Sequence, residues 1–334
     1  MANKNIFNTL ILGSLNSIKG TGRQFTSRMY SNETNVKEVQ IPTSWGHIAG
    51  KFWGSENRRP LLALHGWQDN AGSWDTLIPL LLKDCSVLAI DFPGHGNSSW
   101  FPKGMHYYPW DWPRTIQLVK DHYKWDKVSF LTHSMGSIAA MRYAVIYPDA
   151  VDYYIGFENL IMEKFNPKAL LKDLPQRIDK LQIEQDRLDT EPPAYPYEQV
   201  IKLLHEGTGK SVNMETAHYL VDRGTKPSKK DKTKFYFSRD SRLKYILFVP
   251  EHKEFVTTFA DSMKTPTLYI KATGSNYASD DFSVEIRERL IKGNGKFECN
   301  FVPGTHHVHL NNPEVVAPLV IDFLKRYHVY DGSQ

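Results

Sequence analysis

Short apolar runs recur along this chain, and stretches with helical spacing separate them. Residues 36–41 and 47–53 read as two short strands joined by a turn. Residues 60–64 (PLLAL) and 86–90 (SVLAI) are apolar without alternation, as suits strands covered on both faces. Between them, residues 74–82 have the spacing of a helix. A helix over 115–123, a strand at 127–131 and a helix from Met135 follow. That last helix carries Ile138, Met141 and Val145 on one side and stops at Pro148. A strand at 151–157 comes next. After a long gap the alternation resumes with a strand at 267–270, a helix over 281–291, a strand at 296–302 and a helix over 313–326. This order predicts an α/β fold with a mostly parallel sheet and helices on both faces. No unit repeats at a fixed period.

Residues 160–263 break the alternation. They are helix-rich and hold two irregular segments, DTEPPAYP at 189–196 and KPSKKDKTK at 226–234. The second reads as a solvated surface loop. The block is expected to be an insertion between two strands, leaving a core of residues 33–159 and 264–330.

Composition narrows the picture modestly. The chain has 334 residues, 41% hydrophobic, enough for one sizeable core. A net charge of +4 without an arginine-rich stripe gives no reason to expect a nucleic-acid partner. No apolar run is long enough for stable membrane insertion. Cys85 and Cys299 match no metal spacing and suggest a reducing compartment. Residues 1–32 differ in kind. They carry Lys4, Lys19, Arg23 and Arg28 and no acid before Glu33. Ile6, Phe7, Leu10, Ile11, Leu15 and Ile18 could share one helical face. A basic, acid-free amphipathic segment of this kind is expected to be a mitochondrial transit peptide, with Arg28-Met29-Tyr30-Ser31 as a cleavage site. A disordered tail on a cytoplasmic or peroxisomal protein is the alternative.

Candidate chemistry centres on LTHSMG at 131–136. In VSFLTHSMGSIAAMRY an apolar strand stops and a helix starts at once, so Ser134 falls on a sharp turn at a helix N-terminus. This is the context of an exposed nucleophile, where free N–H groups favour negative charge. The G-x-S-x-G pattern is incomplete, because Thr132 stands at the first glycine. His65 and His95 lie in the loops LHGW and DFPGHG and read as structural.

LALHGWQDN, AIDFPGHGNSS and LTHSMGS, in that order, resemble the alpha/beta-hydrolase superfamily, and within it the serine hydrolase-like proteins. DRGT at 222–225, SRD at 238–240, YIKA at 269–272 and VPGTHHVH at 302–309 continue the likeness over roughly residues 36–328. The resemblance implies the alpha/beta-hydrolase fold with about eight strands and an inserted helical cap. It implies Ser–acid–His hydrolysis of an ester-type bond in a small apolar substrate, with no metal and no cofactor. Ser134 would be the nucleophile, and the N–H groups of Trp67 and Met135 the oxyanion hole. Counting back from Pro313 makes His306 the base, with His307 and His309 supporting the loop or lining the pocket. The usual place for the acid, after the strand at 267–270, falls near Ser275. Some members carry the acid after the strand that follows the nucleophile helix, which here points to Glu158. Asp280 and Asp281 remain the alternative, either as the acid or as helix caps. Tyr108 and Trp110, from an aromatic loop near the expected pocket entrance, are the candidate binding residues. The departures at Thr132 and Ser275 keep two competitors open: a ligand-binding protein with a silent triad, and a non-hydrolytic lyase.

Overall fold

The computed structural model describes residues 36–83, 85–161, 167–246 and 251–328. The segment 1–32, with its reading as a transit peptide, lies outside the described residues.

Eleven strands and ten α-helices follow one another along the described chain. The strands are β1 (Val36–Thr43), β2 (Gly46–Trp53), β3 (Leu61–Leu64), β4 (Val87–Ile90), β5 (Val128–His133), β6 (Val151–Phe157), β7 (Tyr195–Pro196), β8 (Thr225–Pro227), β9 (Lys234–Phe237), β10 (Thr267–Ala272) and β11 (Phe297–Val302). The helices are α1 (Ile78–Leu81), α2 (Asp111–His122), α3 (Met135–Ile146), α4 (Pro167–Asp186), α5 (Tyr197–Gly207), α6 (Ala217–Gly224), α7 (Lys253–Ser262), α8 (Asp281–Gly293), α9 (Val308–Asn311) and α10 (Pro313–Tyr327).

Eight strands form the main sheet in the order β1-β2-β4-β3-β5-β6-β10-β11. β2 pairs antiparallel with β1 and β4, and every other pairing is parallel. The central strands are short and apolar because both faces are covered. β3 and β4 bury every side chain. One face is packed by Ile116 and Val119 of α2, Ala139 and Tyr143 of α3, and Ile286 and Leu290 of α8. The other is packed by Ile78 and Leu81 of α1 with Val316, Val320 and Phe323 of α10. These sets recur every three or four residues, which puts them on one helical face.

Two details depart from the pattern-based expectation. The helix over 74–82 is a 3₁₀ turn at Ala71–Trp74 followed by the short α1. Asn70 caps the start of the turn by accepting the Gly72 N–H. α3 is not one-sided: Met135 through Ala144 are all buried. Its small residues let the helix lie close under the sheet with neighbours all round.

β6 neighbours β10 in the main sheet, so the residues between them lie outside it. They build a core of their own from Val200, Ile201, Val212, Leu220 and Val221, which Leu310 of α9 joins. They also form a small sheet, β7-β9-β8, that the pattern does not reveal. Its strands are two to four residues long and include Pro196 and Pro227, too short and too broken to show alternation. The lysine-rich run 226–234 is a loop only in its middle, since Lys226 and Lys234 belong to β8 and β9. Arg223 ties this part to the main sheet. Its guanidinium reaches Asp91, which is fully buried, at 2.9 Å and Glu38 at 2.7 Å.

Candidate active site

β5, β6 and β11 run parallel, so the residues just beyond their ends meet at one sheet edge. Ser134 follows β5, Glu158 follows β6, and the loop bearing His306 follows β11.

Ser134 adopts φ +52° and ψ −114°, a conformation that costs a non-glycine residue on the order of 1–3 kcal/mol. Its surroundings hold it there. The Ser134 N–H donates to Phe157 O at 3.1 Å, and the Gly136 N–H donates to His65 O at 3.1 Å. Gly136 has to be glycine, because a β-carbon there would lie 2.3 Å from the backbone oxygen of Leu64. Thr132 finds room by a different route. It pairs across the ladder with Gly156 of β6 and Leu64 of β3. Its hydroxyl donates to Ile155 O at 3.0 Å and lies 3.0 Å from Ser137 Oγ.

The Ser134 hydroxyl is 3.0 Å from His306 Nε2, and His306 Nδ1 is 3.0 Å from Glu158 Oε2. Because a carboxylate can only accept, Nδ1 carries the proton and Nε2 is free to accept from serine. Glu158 is fully buried at φ +77°. Its Oε1 accepts the Ala272 N–H at 2.6 Å, and Lys271 Nζ stands 3.3 Å from its Oε2. The carboxylate thus starts from β6 and reaches the end of β10. Ser275 occupies the usual acid position after β10, and its carbonyl accepts from Lys271 at 2.9 Å. The structure does not bring Asp280 or Asp281 to the histidine. Asp280 caps α8 by accepting from the N–H groups of Phe282 and Ser283, and Asp281 is exposed in the first turn.

Burial first of all, then the neighbouring His307 and Lys271, holds the His306 ring well below the ordinary imidazole range. The ring is therefore neutral and able to accept a proton. Burial likewise pushes His133 down to about 4. Met135 opens α3, so its N–H has no partner four residues back within the helix. Trp67 is anchored through its indole, which donates to Leu243 O at 3.1 Å.

The remaining sequence candidates have other surroundings. His309 is buried against Ser73 Oγ at 2.7 Å, and His307 contacts Asp69. His65 is a loop organiser: its Nδ1–H donates to Gly66 O, and its Nε2 accepts the Phe92 N–H. Tyr108 lines a cavity of about 260 Å³ with Ile178, Leu181, Arg242 and Tyr245, and neither Ser134 nor His306 is in that lining. Trp110 lies against Arg142 at 4.9 Å and against Phe255. Two neighbours of the site escaped sequence reasoning. Lys271 sits inside an apolar strand, and Tyr277, in an irregular loop, places its ring 4.0 Å from that of His306. Lys271 lies in YIKA, where nothing marks it as a partner of Glu158, and Tyr277 lies outside the quoted motifs.

The chain belongs to the alpha/beta-hydrolase family, whose description, alpha/beta hydrolase fold, matches residues 59–313. Its relatives include a protein of Drosophila melanogaster named "Probable serine hydrolase", 35% identical over 88% of this chain and 89% of that one. The human "Serine hydrolase-like protein 2" is 31% identical over 88% of this chain and 96% of its own. Among solved structures, a hypothetical protein of Pseudomonas aeruginosa PAO1 superposes with a TM-score of 0.74 at 26% identity, covering 87% of this chain and 99% of that one.

Proposed function

We propose that this alpha/beta hydrolase is a serine hydrolase that cleaves an ester-type bond through an acyl-enzyme on Ser134. The observation that carries the reading is the pair of 3.0 Å contacts linking Ser134 Oγ to His306 and His306 to Glu158. Ser134 Oγ attacks the carbonyl carbon while its proton passes to His306 Nε2. Glu158 stabilises the imidazolium and holds the ring in the right tautomer. The N–H groups of Met135 and Trp67 receive the oxyanion. Collapse expels the alcohol or thiol, which takes the proton from His306. Water, deprotonated by the same nitrogen, then releases the acid. Residues 160–263 act as the cap.

Hydrolysis of p-nitrophenyl acyl esters tests the reading. Ser134→Ala and His306→Ala should each lower turnover by roughly three orders of magnitude or more, since members of such a unit fail together. Glu158→Gln should come within about tenfold of them, because it releases the ring tautomer. Asp280→Asn should keep most of the activity. Comparable turnover in wild type and Ser134→Ala would reject the mechanism.

A further inference from the structure

A second buried cluster adjoins the catalytic candidates. Asp69 Oδ2 lies 3.2 Å from His307 Nε2 and 3.5 Å from His133 Nδ1. The three atoms all lie within 4.8 Å of one another, and none of the three residues is more than 5% exposed. The outer edges of the two rings decide where their protons sit. His133 Nε2 is 2.8 Å from the His306 carbonyl, which can only accept, so that nitrogen carries the hydrogen. A neutral His133 therefore turns a bare Nδ1 toward the carboxylate. This buried nitrogen has no hydrogen-bond partner among the described residues. His307 repeats the arrangement. The Ser211 hydroxyl lies 2.8 Å from Thr208 O and 2.9 Å from His307 Nδ1, and when it donates to Thr208 O it accepts from that nitrogen. His307 Nε2 is then also bare and faces the same carboxylate.

In that tautomer two lone pairs and an anion converge with no donor between them; in the other, His307 Nε2–H donates to Asp69 and His133 Nδ1 still lacks a partner among the described residues. One added proton would leave one ring unmatched. Two would bury a pair of imidazolium ions side by side, which desolvation and mutual repulsion oppose. A divalent cation satisfies all three groups at once.

We propose that Asp69, His133 and His307 form a binding site for a zinc-class divalent transition metal, liganded by Asp69 Oδ2, His133 Nδ1 and His307 Nε2. A tetrahedral zinc with ligands at roughly 2.0–2.1 Å separates them by about 3.3 Å, close to the two spacings from Asp69 Oδ2. The outer partners are of the kind metal-binding histidines use: a backbone carbonyl behind His133 and a hydroxyl behind His307. The fourth position is left for water or the second Asp69 oxygen. Gly66 forms the wall of the site. A β-carbon there would lie 2.8 Å from both Asp69 Oδ2 and His133 Nδ1, inside the space the donors enclose. The ligands come from the loop after β3, the end of β5 and the loop after β11. A bound cation clips these three segments together, and the binding does not depend on the hydrolase reading.

The test uses the full chain, free of affinity-tag histidines and stripped with a chelator, titrated with zinc chloride against a chromophoric chelator. One equivalent should bind and raise the thermal midpoint. Asp69→Asn and His307→Gln should lose that equivalent. Ser211→Ala should weaken it by about 10–100-fold. His309→Gln, whose ring lies 4.2 Å from His133 but outside the donor set, should retain it. Should the ligand variants fail to fold, X-ray absorption of the zinc-loaded wild type decides the matter, with two imidazoles expected in the metal shell. No bound equivalent, undiminished binding in His307→Gln, or a shell with fewer than two imidazoles would overturn the proposal.

Discussion

Lys271 is only 3% exposed, and its ammonium group is shared among Glu158 Oε2, Ala272 O and Ser275 O. It contacts the same Glu158 oxygen that faces His306, and through Ser275 O it closes the loop after β10. Removing one member of a buried pair leaves the other charge stranded. Lys271→Met should therefore destabilise the fold by about 3–5 kcal/mol. Urea denaturation checks this, with a lowered midpoint at unchanged slope. A loss below about 1 kcal/mol would mean that the pair contributes no more than a surface bridge. In sequence, Lys271 looked like an ordinary polar position in TLYIKA. Its meaning depends on Glu158, 113 positions away. Glu158 itself was legible, because its place just after the strand that follows the nucleophile helix carries information about the sheet edge. The Asp69–His133–His307 cluster was not, because its residues come from two separate loops and the end of a strand.

At the scale of elements, the incomplete elbow is the clearest case. The switch from β5 to α3 could be read from an apolar run giving way to helical spacing at once. What could not be read is how Thr132 fits, since its hydroxyl is taken up by Ile155 O on β6. Thr132→Gly would restore the family's residue while losing the hydrogen bond to Ile155 O and adding backbone entropy. We expect a loss of about 1–3 kcal/mol and no gain in ester turnover. A rise in turnover of tenfold or more would show instead that Thr132 impairs the elbow. The three-stranded sheet between β6 and β10 was hidden for another reason. Strands of two to four residues present no period, and their pairing is set by packing against α5.

The whole molecule joins a main sheet, legible from alternating strands and helices, to a second part whose attachment was not. Arg223 bridges Glu38 of β1 and Asp91 beyond β4, and Asn70 donates to Leu220 O at 2.9 Å. Arg223→Met would strand the buried Asp91, at a cost of about 3–5 kcal/mol. Limited proteolysis should then cut between β6 and β10 earlier than in the wild type, whereas equal rates would show that the attachment lies elsewhere. The proposed chemistry turns on Ser134, so the most direct measurement is labelling with a fluorophosphonate, which reacts with an activated hydroxyl. The account predicts one adduct per chain, mapped by mass spectrometry to Ser134 and abolished in both Ser134→Ala and His306→Ala. A well-folded wild-type protein that takes up no label, or an adduct on another residue, would contradict it.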